Sequence, residues 1–121
     1  MNKKILIVDD EKPLARVLEL KLNHEGFDIK SVYNGSEAIE ITKKEHFDLI
    51  LLDIIMPNED GFSVLKKIRA HKGKTIIIVN SNLSQEEDLE KAKSYGADEY
   101  IVKSDTTLEE IVTKIKTYLE K

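Results

Sequence analysis

The chain has 121 residues, 40% hydrophobic and 35% charged, with a formal net charge of −4 and no cysteine. That size supports one core, and the composition is globular, so residues 1–121 are expected to form a single domain. The negative balance argues against direct nucleic-acid binding, missing cysteine excludes a disulfide framework or thiolate zinc site, and no apolar run approaches the roughly 18 residues of a membrane helix.

Met1-Asn2-Lys3-Lys4 leads directly into Ile5-Leu6-Ile7-Val8, too short an apolar run for a signal-peptide core, which predicts a cytoplasmic location. That run reads as the first strand and ends on Asp9-Asp10. Pro13 then suits the first turn of a helix whose Leu14, Val17, Leu18 and Leu22 share one face and which Gly26 stops. A short strand from Ile29 to Val32 precedes an Asn34-Gly35 turn, with Ser36 expected to cap the second helix. The third strand, Leu49 to Leu52, ends on Asp53. Pro57 to Gly61 reads as a loop, and Phe62, Leu65 and Ile68 begin a third helix. The fourth strand is expected from Thr75 to Val79, followed by a capping box at Ser84-Gln85-Glu86-Glu87 and a helix ended by Gly96. Glu99 to Val102 is the fifth strand, and Thr107-Leu108-Glu109-Glu110 a second capping box opening the last helix. Strands alternating with helices five times predict βαβ units, right-handed crossovers and a parallel sheet: a (βα)₅ α/β domain.

Short continuous apolar runs suit strands buried on both faces. Ligands of such sheets bind outside the carboxyl ends of the strands, where strand order reverses. Asp9, Asp10 and Asp53 all fall at such ends. Three carboxylates gathered there repel one another and resist ionising together. A hard divalent cation resolves that conflict, and Mg²⁺ is the usual choice where phosphate is handled. Taken alone, Asp9 and Asp10 could instead cap the first helix, and Tyr100 could be a static strand residue.

Asn80, Ser81 and Asn82 follow the fourth strand, and Lys103 the fifth. With Asp9-Asp10, Asp53, Met56-Pro57, Gly61, Gly96-Ala97 and Tyr100-Ile101-Val102-Lys103, this order resembles the receiver domain of two-component response regulators, of the single-domain chemotaxis or phosphorelay type. The resemblance covers essentially the whole chain. It implies a flavodoxin-like doubly wound sandwich with strand order 2-1-3-4-5 and helices on both faces. It implies a phosphorylation-activated switch, not a turnover enzyme, with Asp53 the nucleophile and phosphorylation site. Mg²⁺ or Mn²⁺ would be held by Asp10, Asp53 and the Ile55 carbonyl, with Asp9 acting through water. Lys103 and Ser81 would contact the phosphoryl oxygens, and Ser81 with Tyr100 would form the switch, the tyrosine turning inward as the loop after the fourth strand moves.

The implied partners are a sensor histidine kinase or a histidine phosphotransfer protein, and a downstream protein at the helix 4–strand 5–helix 5 face. Neither nucleic acid nor membrane is expected to be contacted directly, and the module is expected to be a monomer or a weak phosphorylation-dependent dimer. Two positions depart from the family pattern. Ser104 stands where proline usually follows the lysine, often across a cis bond, and Asn82 stands where a small residue is usual. Ile55 and Leu83 are apolar and are expected to exclude an in-line water. A flavodoxin-like electron carrier would need a phosphate cradle where this chain has Asp9-Asp10-Glu11. A phospho-aspartyl phosphatase would need a second Asp at position 55. A constitutive pseudo-receiver is the remaining alternative, disfavoured because the acids and Lys103 are all present.

Overall fold

The computed structural model describes residues 2–120. Five parallel strands, β1 (Lys4–Val8), β2 (Asp28–Val32), β3 (Leu49–Leu52), β4 (Ile76–Ser81) and β5 (Glu99–Val102), form one sheet in the order β2-β1-β3-β4-β5. Five helices alternate with them: α1 (Lys12–His24), α2 (Gly35–Lys44), α3 (Gly61–His71), α4 (Glu86–Ser94) and α5 (Leu108–Leu119). The expected flavodoxin-like order is therefore the observed one.

The strands read as unbroken apolar runs because both faces are covered. Leu6, Val8, Ile50, Leu52, Ile77 and Val79 point to one face, where Ala38 of α2, Leu65 and Ile68 of α3 and Ala92 of α4 close over them. Their neighbours Ile5, Ile7, Leu49, Leu51 and Ile78 point to the other, against Leu18 and Leu22 of α1 and Ile111 and Ile115 of α5. Each fully buried side chain of this size contributes roughly 1.5–3 kcal/mol of transfer free energy. The edge strand β2, sequence Asp-Ile-Lys-Ser-Val, is covered less and alternates in exposure.

Local capping signals decide some helix ends and not others. Thr107 forms the expected capping box with Glu110. Gly26, in the left-handed region at φ 98°, follows the end of α1 as expected. Ser36 does not cap α2. The cap lies two residues earlier, and the Asn34 side chain accepts from the Glu37 N–H, because Asn34 has the extended backbone that a cap requires. The box at Ser84 does not form either: the cap position of α4 is Gln85, without a side-chain hydrogen bond. β4 runs two residues past Val79, since Asn80 and Ser81 pair with Ile101 and Val102.

The segment after β3 is more ordered than a plain loop. Ile55–Met56 and Glu59–Asp60 pair as a two-residue antiparallel ribbon, turned at Asn58 with φ 61°. Asp60 caps α3 by accepting from the Phe62 N–H. Glycine is required at position 61, because a Cβ there would collide with the backbone of Ile54.

Candidate functional site

Strand order reverses between β1 and β3, so a crevice opens at their carboxyl ends. The hydrogen-bond ladder continues past both strands: Asp53 N–H donates to Val8 O at 2.9 Å, and Asp9 N–H to Val32 O at 3.2 Å. This backbone register sets Asp9 beside Asp53. Oxygens of Asp9, Asp10 and Asp53 lie within 4.8 Å of one another. Asp9 and Asp53 are buried, and Asp10 is partly exposed.

Lys103 enters from the end of β5. Its Nζ lies 2.8 Å from Asp9 Oδ2, 2.9 Å from Asp53 Oδ2 and 3.2 Å from Glu11 Oε1. The other Asp53 oxygen accepts from the Ile55 N–H at 2.9 Å. Burial pushes the Asp53 carboxyl above the ordinary carboxylate range, with the Asp9 charge adding to it, against the pull of the Ile55 N–H and Lys103. Burial alone would lower the Lys103 ammonium, but hydrogen bonds to Asp9 and Asp53 outweigh it and hold the group above its usual value.

Three carboxylates thus contact one ammonium, with Asp10 beside them. The donor set is all oxygen, the remaining charge is negative, and a cavity of about 370 Å³ opens beside it, lined by Asp10, Glu11, Asp53, Ile55, Asn82 and Lys103 among others. Hard oxygen donors with surplus negative charge suit a small divalent cation. The cluster Asp9, Asp10 and Asp53 fits that group.

Ser81 is fully buried at the end of β4. Its hydroxyl faces that of Tyr100, which donates to Leu83 O at 2.7 Å. Burial raises the Tyr100 phenol above its ordinary value. Tyr100 also lines a second depression of about 390 Å³ between α4 and β5, with Leu89, Glu90 and Glu99. Leu83 packs against the apolar cluster under α3 and α4 instead of bordering the acid cavity, so only Ile55 of that expected pair stands there.

The peptide bonds are trans among the described residues, that between Lys103 and Ser104 included. Lys103–Asp105 forms a 3₁₀ turn, and Ser104 N–H donates to Asn82 Oδ1 at 2.9 Å. Two participants carry no individual signal in the chain. Glu11 reads as part of an acidic helix start, yet its carboxylate turns to Lys103. Glu59 reads as a loop residue, yet its carboxylate accepts from the N–H groups of Gly35 and Ser36 and ties the ribbon after Asp53 to the start of α2.

A parallel sheet with an acid cluster and a lysine at its switch point defines a class of phosphate-handling α/β domains. Within it, residues 5–116 match the response regulator receiver domain, and the chain belongs to that family. It is 40% identical over 118 residues to response regulator ArlR of Staphylococcus saprophyticus, covering 98% of this chain and 53% of that protein. The chain spans about half the length of the curated relatives it matches. Among solved structures, a two-component response regulator from Clostridium difficile superposes with TM-score 0.93 at 32% identity, covering 99% of this chain and 98% of that one. A CheY-like receiver domain protein from Methanospirillum hungatei JF-1 gives TM-score 0.94 at 28% identity, covering 99% and 95%. The chain is thus a receiver domain of two-component signalling. No described helix is long and apolar enough to cross a membrane.

Proposed function

We propose that residues 1–121 act as one receiver module in which Asp53 accepts a phosphoryl group from the phosphohistidine of a sensor kinase or a histidine phosphotransfer protein in the cytoplasm. The supporting observation is the placement of Asp53: one oxygen against Lys103, the other against the Ile55 N–H, with Asp9 and Asp10 alongside. In the transfer, an Asp53 oxygen forms a bond to phosphorus as the phosphorus–nitrogen bond breaks, and the imidazole nitrogen keeps the electron pair. Such transfer asks for positioning and charge neutralisation more than for a strong nucleophile. Lys103 supplies a compact positive charge to the phosphoryl oxygens, and the Ser81 hydroxyl donates to another. Asp10, Asp53 and the Ile55 carbonyl, with Asp9 through water, would hold Mg²⁺ or Mn²⁺, which would supply further positive charge there.

The product adds about 1.5 to 2 negative charges at the switch point. Ser81 and the loop that follows it respond, and Tyr100 passes the change to the α4–β5–α5 face, where a downstream protein docks. The module signals as a monomer or a weak phosphorylation-dependent dimer, without contacting nucleic acid or membrane itself, and does not turn over a substrate. Incubation with a small phosphodonor and Mg²⁺ should add one phosphate by intact mass. Asp53→Asn and Asp53→Ala should both abolish the gain, and full labelling of either would overturn the assignment.

A further inference from the structure

Asn82 and Ser104 each stand one residue past a side chain of the site, Ser81 and Lys103, and they meet. The Asn82 side-chain oxygen accepts from the Ser104 N–H at 2.9 Å. A proline at 104 has no N–H to give. Asn82 adjoins Ser81, and Ser104 adjoins Lys103, so the bond joins the two loops that carry the side chains proposed to contact phosphoryl oxygens. The other hydrogen bonds of the Lys103 turn are local: Thr106 N–H donates to Lys103 O, and Thr106 Oγ1 to Val102 O. The sheet ladder joins the two strands as far as Ser81 and Val102; past it, these local bonds shape the turn without tying it to the β4–α4 loop.

We propose that Asn82 is a positioning residue whose bond to the Ser104 backbone sets the reach of Lys103 into the site. The proposal rests on the reading of Asp53 as phosphoryl acceptor. Lysine ends in a point charge on a flexible four-carbon stem, so where its ammonium rests depends on where its backbone leaves the sheet. Here that ammonium is shared among Asp9, Asp53 and Glu11 within 3.2 Å, and small shifts of the turn change which carboxylate it serves. With the loops joined, movement of the Ser81 loop toward a phosphoryl group carries the Lys103 turn along.

The test is a double-mutant cycle on the full chain, read by the affinity for beryllofluoride with Mg²⁺ in an NMR titration and by the rate of uptake from a small phosphodonor. Asn82→Ala and Ser104→Pro should each weaken both about fivefold, the value of one ordinary hydrogen bond. The double variant should be no weaker than either single one, because both remove the same bond. Ser104→Ala keeps the N–H and should match wild type. Exchange of the Ser104 amide proton with solvent should accelerate in Asn82→Ala, a readout that needs no phosphoryl chemistry and no proline variant. An unchanged Ser104 amide, additive losses in the cycle, or a Ser104→Ala loss equal to that of Ser104→Pro would each overturn the proposal. Wild type that takes up neither phosphoryl group nor beryllofluoride defeats the acceptor reading and the positioning role together. Normal uptake by both wild type and Asn82→Ala defeats the positioning role alone.

Discussion

Arg69 at the amino end of the sheet and Lys103 at its carboxyl end are both largely buried cations that bridge separate elements, yet their partners differ in kind. The Arg69 guanidinium donates to Gly96 O, Lys72 O and Thr75 O, and to Asp98 Oδ2, all within 2.9 Å. The same Asp98 oxygen accepts from the Ile77 N–H. Neutral carbonyls and one matched acid use up the planar fork, and Gly96 must lack a Cβ because one would strike the Arg69 stem. Among the described residues, the Lys103 ammonium pairs with carboxylates alone, and with more of them than one charge neutralises. The amino end is satisfied and holds α3, β4 and β5 together. The carboxyl end is left short of positive charge, which costs stability and suits a small divalent cation.

Removing Arg69 should therefore be the most destabilising of these changes. Arg69→Ala strands Asp98 and three carbonyls and is expected to cost about 3 kcal/mol, with Mg²⁺ affinity unaltered. Urea unfolding and a Mg²⁺ titration check both halves. A loss of metal affinity in that variant would mean that the two ends are coupled. The opposite pattern is expected at the other end. Mg²⁺ at a hundredfold excess over its Kd should raise stability by about 2.7 kcal/mol, because only the folded cluster binds it. Asp10→Ala should lose that gain without losing stability in metal-free buffer. Calorimetry with undiminished Mg²⁺ binding in Asp10→Ala would rule out the ligand set.

The same contrast explains what the chain discloses on reading. Asp9, Asp10, Asp53 and Lys103 are legible because each follows a recognisable apolar run, and parallel strand ends converge by topology. The parallel sheet and its right-handed crossovers follow from alternation and handedness, and the strand order from the family resemblance. Arg69 is illegible, because most of its partners are backbone carbonyls, which any residue supplies, contributed by two separate segments. Glu59 and Glu11 are hidden for a similar reason: their contacts cross 24 and 92 positions of chain. The caps at Ser36 and Ser84 are not legible locally, since a shift of one or two residues in helix start moves the cap to Asn34 and Gln85.

Asp53 itself sharpens the comparison by a smaller amount. Its carboxyl is raised by burial, so the ionised form opposes folding at neutral pH. That penalty is full above the raised folded-state value and disappears as pH falls to the ordinary carboxylate range. Asp53→Asn should accordingly stabilise the metal-free protein by on the order of 1 kcal/mol at neutral pH, with the gain shrinking toward acid. Thermal unfolding across that range measures it. A variant less stable than wild type at neutral pH would show that the Lys103 pair outweighs the burial of Asp53.

The smallest expected effect concerns the lifetime of phospho-Asp53. Hydrolysis needs a water placed in line behind phosphorus. Ile55 borders the cavity at 45% exposure and offers such a water no hydrogen bond. Leu83 contributes nothing there, since it faces the apolar cluster, so the restraint falls on Ile55 alone. Ile55→Asn supplies a polar group at that border while leaving the Ile55 N–H, a main-chain donor, on Asp53. The phosphorylated form should then decay severalfold faster, short of the roughly 10²-fold that full misplacement of a reacting group can cost. Decay after donor removal, followed by intact mass for both proteins, gives the comparison. Equal or slower decay in the variant would move control of hydrolysis from Ile55 to the Asn82–Ser104 tie and its hold on Lys103.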